Sequence, residues 1–503
     1  MMPAGAAAAQ PVAFRPHGHL RFRTPALLLA GFAMLLAGCT VGPNYRRPSA
    51  PTPPAFKEAA TPPPNPVGGG WKKVDPADSA LRGSWWEIYG DPQLNRLEEK
   101  VAISNQTLKM TYAQYMQALY AVKAARAQYY PTVSLLPAIH QERFSANRPL
   151  FFPGIKNEYY DFLAEGQVAW EPDLWGAIRR AVEVQVSTAQ ASAAQLANVD
   201  LSLRAELATD YFELRGLDAQ QQLLDDTVAQ DADFLKLTQA RFKGGVANEE
   251  DVALAETELE QTQAQDIDVG VARAEFEHAI ATLTGTPASS FSLPPAPLDL
   301  TLPQVPVAVP SQILERRPDV AEAERQAQAA NAQIGIAISA FYPTITLGGV
   351  GGFESAHPGN WIQGSSSLWT LGGSAAELLF DAGRRHAFTE VARQGYEASV
   401  ANYRETVLQA FQEVEDNLGS LNILNNESAA QARAVTSSER SLALAARRYR
   451  GGVTNYLTVI TAQTQELANQ ITAVQIETRQ FVSSVLLVKA LGGGWDTSKL
   501  PKP

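Results

Sequence analysis

The sequence predicts an α+β membrane protein built by internal duplication, with four β-strands and two long helical hairpins per chain. Three observations predict this fold. A glycine-centred phrase occurs twice, as RFKGGVANEEDVALAET from Arg241 and as RYRGGVTNYLTVITAQT from Arg448, 207 residues apart. Proline is absent between residues 172 and 287 and again between residues 358 and 501. Each proline-free tract is preceded by segments in which apolar and polar residues alternate.

The first 38 residues are predicted to be a signal peptide. Three arginines precede an apolar run over residues 26–37, which is too short to span a bilayer. The run ends in Leu36-Ala37-Gly38-Cys39, and Cys39 is the only cysteine of the chain. This arrangement is similar to bacterial lipoprotein signals, so we expect a covalent lipid on Cys39. Because Thr40 and not Asp follows, the similarity also implies delivery to the outer membrane.

Residues 39–84 are expected to form the acylated N-terminus and an extended linker, since Pro and Gly are frequent there. Ordered structure is expected to begin near WWEIYGDPQL. In that segment Asp91 is placed to cap a helix and Pro92 to open it.

The proline-free tracts are rich in Ala, Gln, Leu, Glu and Arg, which favour helices. A helix from about Arg179 to Phe242 would be roughly 95 Å long. Gly reaches left-handed backbone angles at little cost, so Gly244-Gly245 and Gly451-Gly452 are predicted to reverse two long hairpins. Two asparagines, Asn248 and Asn455, stand where the returning helices need N-terminal caps.

The alternating segments predict two β-hairpins, near residues 131–171 and 343–381. In the run EYYDFLAEGQVAW, Tyr160, Phe162, Val168 and Trp170 fall on one face, and polar residues such as Glu165 fall on the other. We assign residues 85–300 to the first repeat, 301–495 to the second and 496–503 to a C-terminal tail.

Four strands cannot close into a barrel, and a membrane does not tolerate open sheet edges. The strands are therefore predicted to close with those of other copies into a hollow cylinder that conducts. The competing interpretation is a lipid-anchored coiled-coil scaffold without a pore. An enzyme is not predicted, because the six histidines are scattered and neither HExxH nor GxSxG occurs. We expect no cofactor or metal, and a net charge of −11 does not favour nucleic-acid binding.

Several phrases resemble the outer-membrane efflux protein family, in particular its TolC/OprM-like, NodT-type lipoproteins. They include LERRPDVAEAE from Leu314, ALGGGW from Ala490, both glycine phrases and the segment around Cys39. The resemblance implies a homotrimer in which twelve strands form a β-barrel, continued by a long α-helical coiled-coil barrel. It also implies an exit channel that joins a periplasmic adaptor and an inner-membrane transporter of the resistance-nodulation-division class. A channel for type I protein secretion is the alternative within this architecture.

The resemblance also implies functional positions. The candidate adaptor-contacting tips are Arg241, Gly244, Gly245, Val246, Arg448, Gly451, Gly452 and Val453. The candidate gate is Val453, Leu457 and Thr461, which recur every four residues and share a helix face. Threefold symmetry could arrange them as stacked rings, although Val453 and Leu457 could instead pack between helices. Relatives similar to OprM often carry an acid where Thr461 stands. Arg317, Pro318 and Asp319 are predicted to have a structural role at a helix start.

Overall fold

The computed structural model describes residues 40–60, 83–147, 154, 157–305 and 315–501. The chain divides into two compact units. One, here called the sheet unit, contains residues Gln128–Arg179 and Ser339–Leu379 together with the described residues before Gly42. The other, called the helical unit, contains the remaining described residues.

The sheet unit contains the four described strands. They are β1 (Thr132–Arg143), β2 (Glu158–Trp170), β3 (Thr344–Ser355) and β4 (Ser367–Ala376). All pairs are antiparallel and the spatial order follows the chain. Both predicted β-hairpins are therefore present at the predicted places, and β2 pairs with β3 to join the two repeats in one sheet.

The sheet has one continuous apolar face. Phe162 lies opposite Ile139, and Val168 lies opposite Val133. Trp170 lies opposite Leu347 on the next strand. Because side chains alternate along a strand, the polar residues Asp161, Glu165 and Gln167 point to the other side. Several apolar side chains of this face are exposed in the protomer, among them Val133, Leu135, Ile139, Trp369 and Leu371.

The glycine-rich run of β3 allows large side chains of β4 to pack close to its backbone. A Cβ atom on Gly349 would lie 2.7 Å from the Leu371 side chain. One on Gly352 would lie 2.2 Å from the carbonyl oxygen of Ala164 on β2. The two glycines are therefore required by the close approach of neighbouring strands.

The described residues form seven α-helices. They are α1 (Pro92–Ser104), α2 (Gln106–Ala127), α3 (Ala177–Lys243), α4 (Glu249–Leu283), α5 (Pro318–Ser339), α6 (Arg384–Arg450) and α7 (Leu457–Ala490). The duplication is visible in their lengths, since α2 and α5 each have 22 residues and α3 and α6 each have 67. A helix of 67 residues is about 100 Å long, which agrees with the length expected from the sequence.

The largest apolar core of the helical unit forms around the turn that precedes α1. Tyr89 packs with its ring centroid 4.9 Å from that of Phe212 on α3, and Phe212 lies 4.9 Å from Phe481 on α7. The Tyr89 hydroxyl is 2.7 Å from the hydroxyl of Ser484. As predicted, Asp91 caps α1 and accepts the backbone N–H of Gln93 at 2.7 Å.

The described part of the predicted extended linker, residues 42–60, belongs to the helical unit and is hydrogen-bonded to its helices. The Asn331 side chain on α5 donates to the Pro43 carbonyl at 3.0 Å. The Glu415 carboxylate on α6 accepts the backbone N–H groups of Lys57 at 2.7 Å and Glu58 at 3.0 Å. Since these bonds use backbone groups of the segment, its composition alone did not reveal them. Residues 61–82 of the expected linker, and Cys39, lie outside the described residues.

Arg317 connects the start of α5 to the middle of α6 and to the end of α7. The side chain of Arg317 is 8% exposed. The guanidinium donates to both oxygens of Asp319, at 3.0 and 2.6 Å, to Glu413 on α6 at 2.7 Å, and to the Ala490 carbonyl at the end of α7 at 3.0 Å. Pro318 is the first residue of α5. These contacts support the structural role expected for this motif.

Within the described residues, none of the helices combines the length and apolarity required to cross a membrane.

Replacing Arg317 by alanine is expected to lower the free energy of unfolding by about 3 kcal/mol, because Asp319 loses its charged partner in a poorly hydrated site. Chemical unfolding monitored by circular dichroism measures this. The control is Arg393→Ala, which removes an exposed ion pair with Glu390 and should cost at most about 1 kcal/mol. Equal effects of the two substitutions would contradict the role given to Arg317.

Candidate functional site

Both long hairpins reverse through the same glycine turn, as predicted. At the first tip the N–H of Val246 donates to the carbonyl of Arg241 at 3.0 Å, and at the second the N–H of Val453 donates to the carbonyl of Arg448 at 2.9 Å. Gly245 and Gly452 each have φ of 73°. This bonding pattern ends a helix with a left-handed residue, a conformation in which other residues are strained. Gly244 and Gly451 precede these residues, and both tips are exposed.

The two predicted caps behave differently. Asn248 caps α4 and accepts the backbone N–H of Asp251 at 2.8 Å. Asn455 does not cap α7, which begins at Leu457 without a side-chain cap bond. Its oxygen accepts the hydroxyl of Thr458 at 3.0 Å instead. The prediction for Asn455 was therefore wrong, because a neighbouring hydroxyl competes with the helix backbone for the same oxygen.

The two equivalent arginines of the tips also differ. The guanidinium of Arg241 lies 4.6 Å from the centre of the Tyr449 ring and donates to the Tyr449 carbonyl at 2.5 Å. The Tyr449 hydroxyl is 2.9 Å from the hydroxyl of Thr238 on α3. Arg241 therefore joins the two hairpins within one chain. Arg448 is exposed, and its guanidinium forms no ion pair with any of the described residues.

Leu457 and Thr461 lie on one exposed face at the start of α7, as predicted, whereas Val453 lies in the exposed glycine turn that precedes the helix and so does not share a helix face with them. Val453 is 69% exposed and Leu457 52% exposed. The Thr461 hydroxyl donates to the Leu457 carbonyl at 2.9 Å. Since these two apolar side chains are exposed in the protomer, they do not pack between helices of their own chain. They remain available to line a pore or to contact another copy.

A groove of about 500 Å³ lies beside the gate face, between α6 and α7. Its lining is neutral and consists of Ser438, Ser441, Ala445, Leu457, Thr458, Thr461, Ala462 and Gln465. Hydroxyls and small side chains predominate, and no charged residue contributes to this lining. The groove therefore offers no fixed charge to a passing ion.

The opposite face of α7 is buried, and there Gln463 meets a carboxylate of α3. Asp231 is fully buried and accepts the Thr262 hydroxyl at 2.8 Å and the Gln463 amide at 2.7 Å. The sequence analysis did not identify it. A signal was present, because Asp231 belongs to a run with alternating spacings of three and four residues. The buried members are Leu224, Thr227, Asp231, Phe234 and Thr238.

No group of three or more potential metal-binding side chains occurs among the residues that the structure describes.

Comparison with known proteins gives the family. The sequence model of the outer membrane efflux protein family matches residues 97–286 and 309–493. The antibiotic efflux pump outer membrane protein ArpC of Pseudomonas putida is 31% identical over 472 residues, which are 93% of this chain and 95% of the relative. The toluene efflux pump outer membrane protein TtgC of Pseudomonas putida has the same identity and coverage.

A solved structure agrees with this assignment. The outer-membrane channel OprN superimposes with a TM-score of 0.82 at 27% identity, covering 91% of this chain and all of the neighbour. Since the family model spans both repeats, the chain belongs to the outer membrane efflux protein family.

Proposed function

We propose that this protein is the outer-membrane exit channel of a tripartite efflux pump and conducts its cargo passively. The observation that supports this most directly is the sheet with one exposed apolar face and polar residues on the other. A barrel built from such strands presents apolar side chains to lipid and polar ones to a water-filled interior. A coiled-coil scaffold has no need of these strands.

The sheet is open at both sides. Among the described residues β1 pairs only with β2, and β4 pairs only with β3. Unpaired backbone groups on such edges cannot remain in hydrocarbon. We therefore propose that three copies contribute four strands each to a twelve-stranded barrel. Exposed apolar side chains on the helical unit support assembly as well. They include Ile103, Met110, Tyr112, Ile267, Val271 and Val391.

The glycine tips would be the contact for a periplasmic adaptor, which in turn would bind an inner-membrane transporter of the resistance-nodulation-division class. Both tips are exposed and are closed by backbone hydrogen bonds, which suits a binding surface. The energy for transport would come from the transporter. Arg241 would serve the tip indirectly, since its guanidinium is occupied by Tyr449, whereas Arg448 would contact the adaptor directly.

The relatives favour efflux over protein secretion, because both are named as efflux pump components. They are named for different cargoes at the same identity to this chain, one for antibiotics and one for toluene. Similarity therefore does not select a cargo, and we propose that the adaptor and transporter select it.

We expect Leu457→Ser combined with Val453→Ser to raise single-channel conductance several-fold in planar bilayers, because hydroxyls wet a constriction that apolar rings keep dry. The control is Ile423→Ser, which changes a comparably exposed apolar residue of α6 outside the gate. If the double variant conducts like the wild type, Val453 and Leu457 do not form the gate.

Reversing the charge at the second tip should weaken adaptor binding. For Arg448→Glu we expect a Kd about tenfold higher, equivalent to about 1.4 kcal/mol, with unchanged trimer mass. Surface plasmon resonance with the purified adaptor measures the Kd. Arg393→Glu, an exposed arginine on the same helix, is the control. An unchanged Kd for Arg448→Glu would remove Arg448 from the adaptor contact.

The predicted lipid is tested by mass spectrometry of the mature protein. We expect the N-terminal peptide to begin at Cys39 with the mass of an acylated cysteine, and Cys39→Ser to abolish that mass. Metabolic labelling with palmitate provides an independent check on the same variant. A wild-type chain that begins elsewhere, or that carries no acyl mass, would overturn the prediction of a lipoprotein.

A further inference from the structure

The buried carboxylate of Asp231 connects three helices behind the gate face. It extends from α3, accepts the hydroxyl of Thr262 on α4 at 2.8 Å and accepts the amide of Gln463 on α7 at 2.7 Å. All three side chains are buried. Of these helices, α7 carries Leu457 and Thr461 of the candidate gate, so the carboxylate fixes the position of this gate face relative to the first hairpin.

Helix geometry places this contact directly behind the gate. Consecutive residues of an α-helix are separated by about 100°, so Gln463 lies about 200° around α7 from Thr461. The burial agrees, because Gln463 and Val459 are buried whereas Leu457 and Thr461 are exposed. Any movement of α7 away from Asp231 must therefore move the gate face too.

Among the described residues, no cation forms an ion pair with the Asp231 carboxylate, and the negative charge of Glu258 on α4 repels it. Tyr456, at the start of α7, also faces this region and has the ring of Tyr449 from α6 beside it at 5.4 Å. Within the described structure, the Tyr456 hydroxyl and the Gln463 side-chain oxygen are buried without a hydrogen-bond partner.

This environment favours the protonated form. The pKa of Asp231 is raised to about 6, chiefly by burial, and the negative charge of Glu258 contributes in the same direction. The hydrogen bonds from Thr262 and Gln463 act in the opposite direction and lower the pKa. When protonated, Asp231 can donate to the oxygen of Gln463 after the Gln463 amide turns over, which would satisfy a buried acceptor.

We propose that Asp231 is a positioning residue for the gate, and that release of its proton loosens α7 from the first hairpin and favours the conducting state. This inference rests on the proposed channel function. Glu258 and Tyr456 are the other titratable groups that face the carboxylate. Neither group carries a positive charge, so neither stabilises the charged carboxylate of Asp231.

The direction of the pH dependence follows from the linkage between proton binding and packing. A carboxyl group whose pKa is raised in the packed arrangement binds its proton more tightly there than in a hydrated, loosened arrangement. Low pH therefore stabilises the packed arrangement, and this stabilisation is lost as pH rises through about 6. In the loosened arrangement the hydrated Asp231 carboxyl should have an ordinary pKa of about 3.9. The ratio of loosened to packed protomers should therefore rise about tenfold between pH 5 and pH 7.5.

The test is the open probability of the full-length acylated protein in planar bilayers, measured in potassium chloride between pH 5 and pH 7.5. We expect the wild type to open more as pH rises. Asp231→Asn preserves the size and, like the protonated acid, offers one acceptor oxygen and one donor without a charge, so it should keep the low open probability throughout. Asp233→Asn is the control, because Asp233 is exposed two residues away and should leave the pH profile unchanged.

A third variant separates protonation from packing. Thr262→Val removes a hydrogen bond that stabilises the charged carboxylate, so the midpoint of the pH profile should move upward. A purely structural role would not move the midpoint in this direction. Circular dichroism and size exclusion establish that each variant is folded and assembled.

The possible outcomes distinguish the two proposals. A wild-type protein that conducts no ions at any pH contradicts the channel function itself. A conducting wild type whose pH profile is unchanged by Asp231→Asn contradicts the role of Asp231 and leaves the channel function intact. Loss of the pH dependence in Asp231→Asn, with an upward midpoint in Thr262→Val, supports the proposal.

Discussion

The unpaired backbone groups of the sheet are the constraint on which the rest of this account depends. A four-stranded sheet exposes rows of N–H and C=O groups on its two outer strands, and hydrocarbon offers them no water. Here the outer strands are β1 and β4, while an apolar face runs across all four strands. An apolar face suits lipid, but open edges do not. Both conditions are met when the edges of several copies pair with one another.

Internal duplication gives the two repeats the same backbone architecture. Sequence divergence at the tips gives the two helical hairpins different roles. The 67-residue helices and the glycine turns are alike in both repeats. The residues that follow the turns are not alike. The first repeat has Glu249, Glu250 and Asp251 where the second has Tyr456, Leu457 and Thr458.

The consequence of this divergence is visible in the structure. The ring of Tyr456 is buried in a cluster with Phe234 and Tyr449, and Leu457 begins the gate face. The equivalent arginines also differ in their contacts, since Arg241 donates to the Tyr449 carbonyl within the chain whereas Arg448 is exposed to solvent. One hairpin is thus specialised to support the other, which carries the candidate gate.

Much of the fold could be predicted from the sequence because the signals are local. The alternation of apolar and polar residues determines which face of a strand is apolar. The absence of proline indicates where the long helices run, and the paired glycines indicate where they reverse. Asp91 and Asn248 cap their helices for the same local reason.

One local prediction failed, because the Asn455 oxygen accepts the hydroxyl of Thr458, three residues away, instead of a backbone N–H of α7. Other features depend on residues that are distant in sequence. The binding of residues 42–60 depends on Glu415 and Asn331, several hundred residues away. Asp231 was detectable from the three and four spacing, but its partners Thr262 and Gln463 lie on other helices. Contacts of this kind require the tertiary structure.

The central claim is that several copies of this chain join their sheets around a water-filled lumen. Electron cryomicroscopy of the purified, acylated protein in lipid nanodiscs tests it most directly. The account predicts a threefold particle in which twelve strands enclose a continuous lumen. A single chain whose four strands remain open to lipid, or a particle without a lumen, would contradict it.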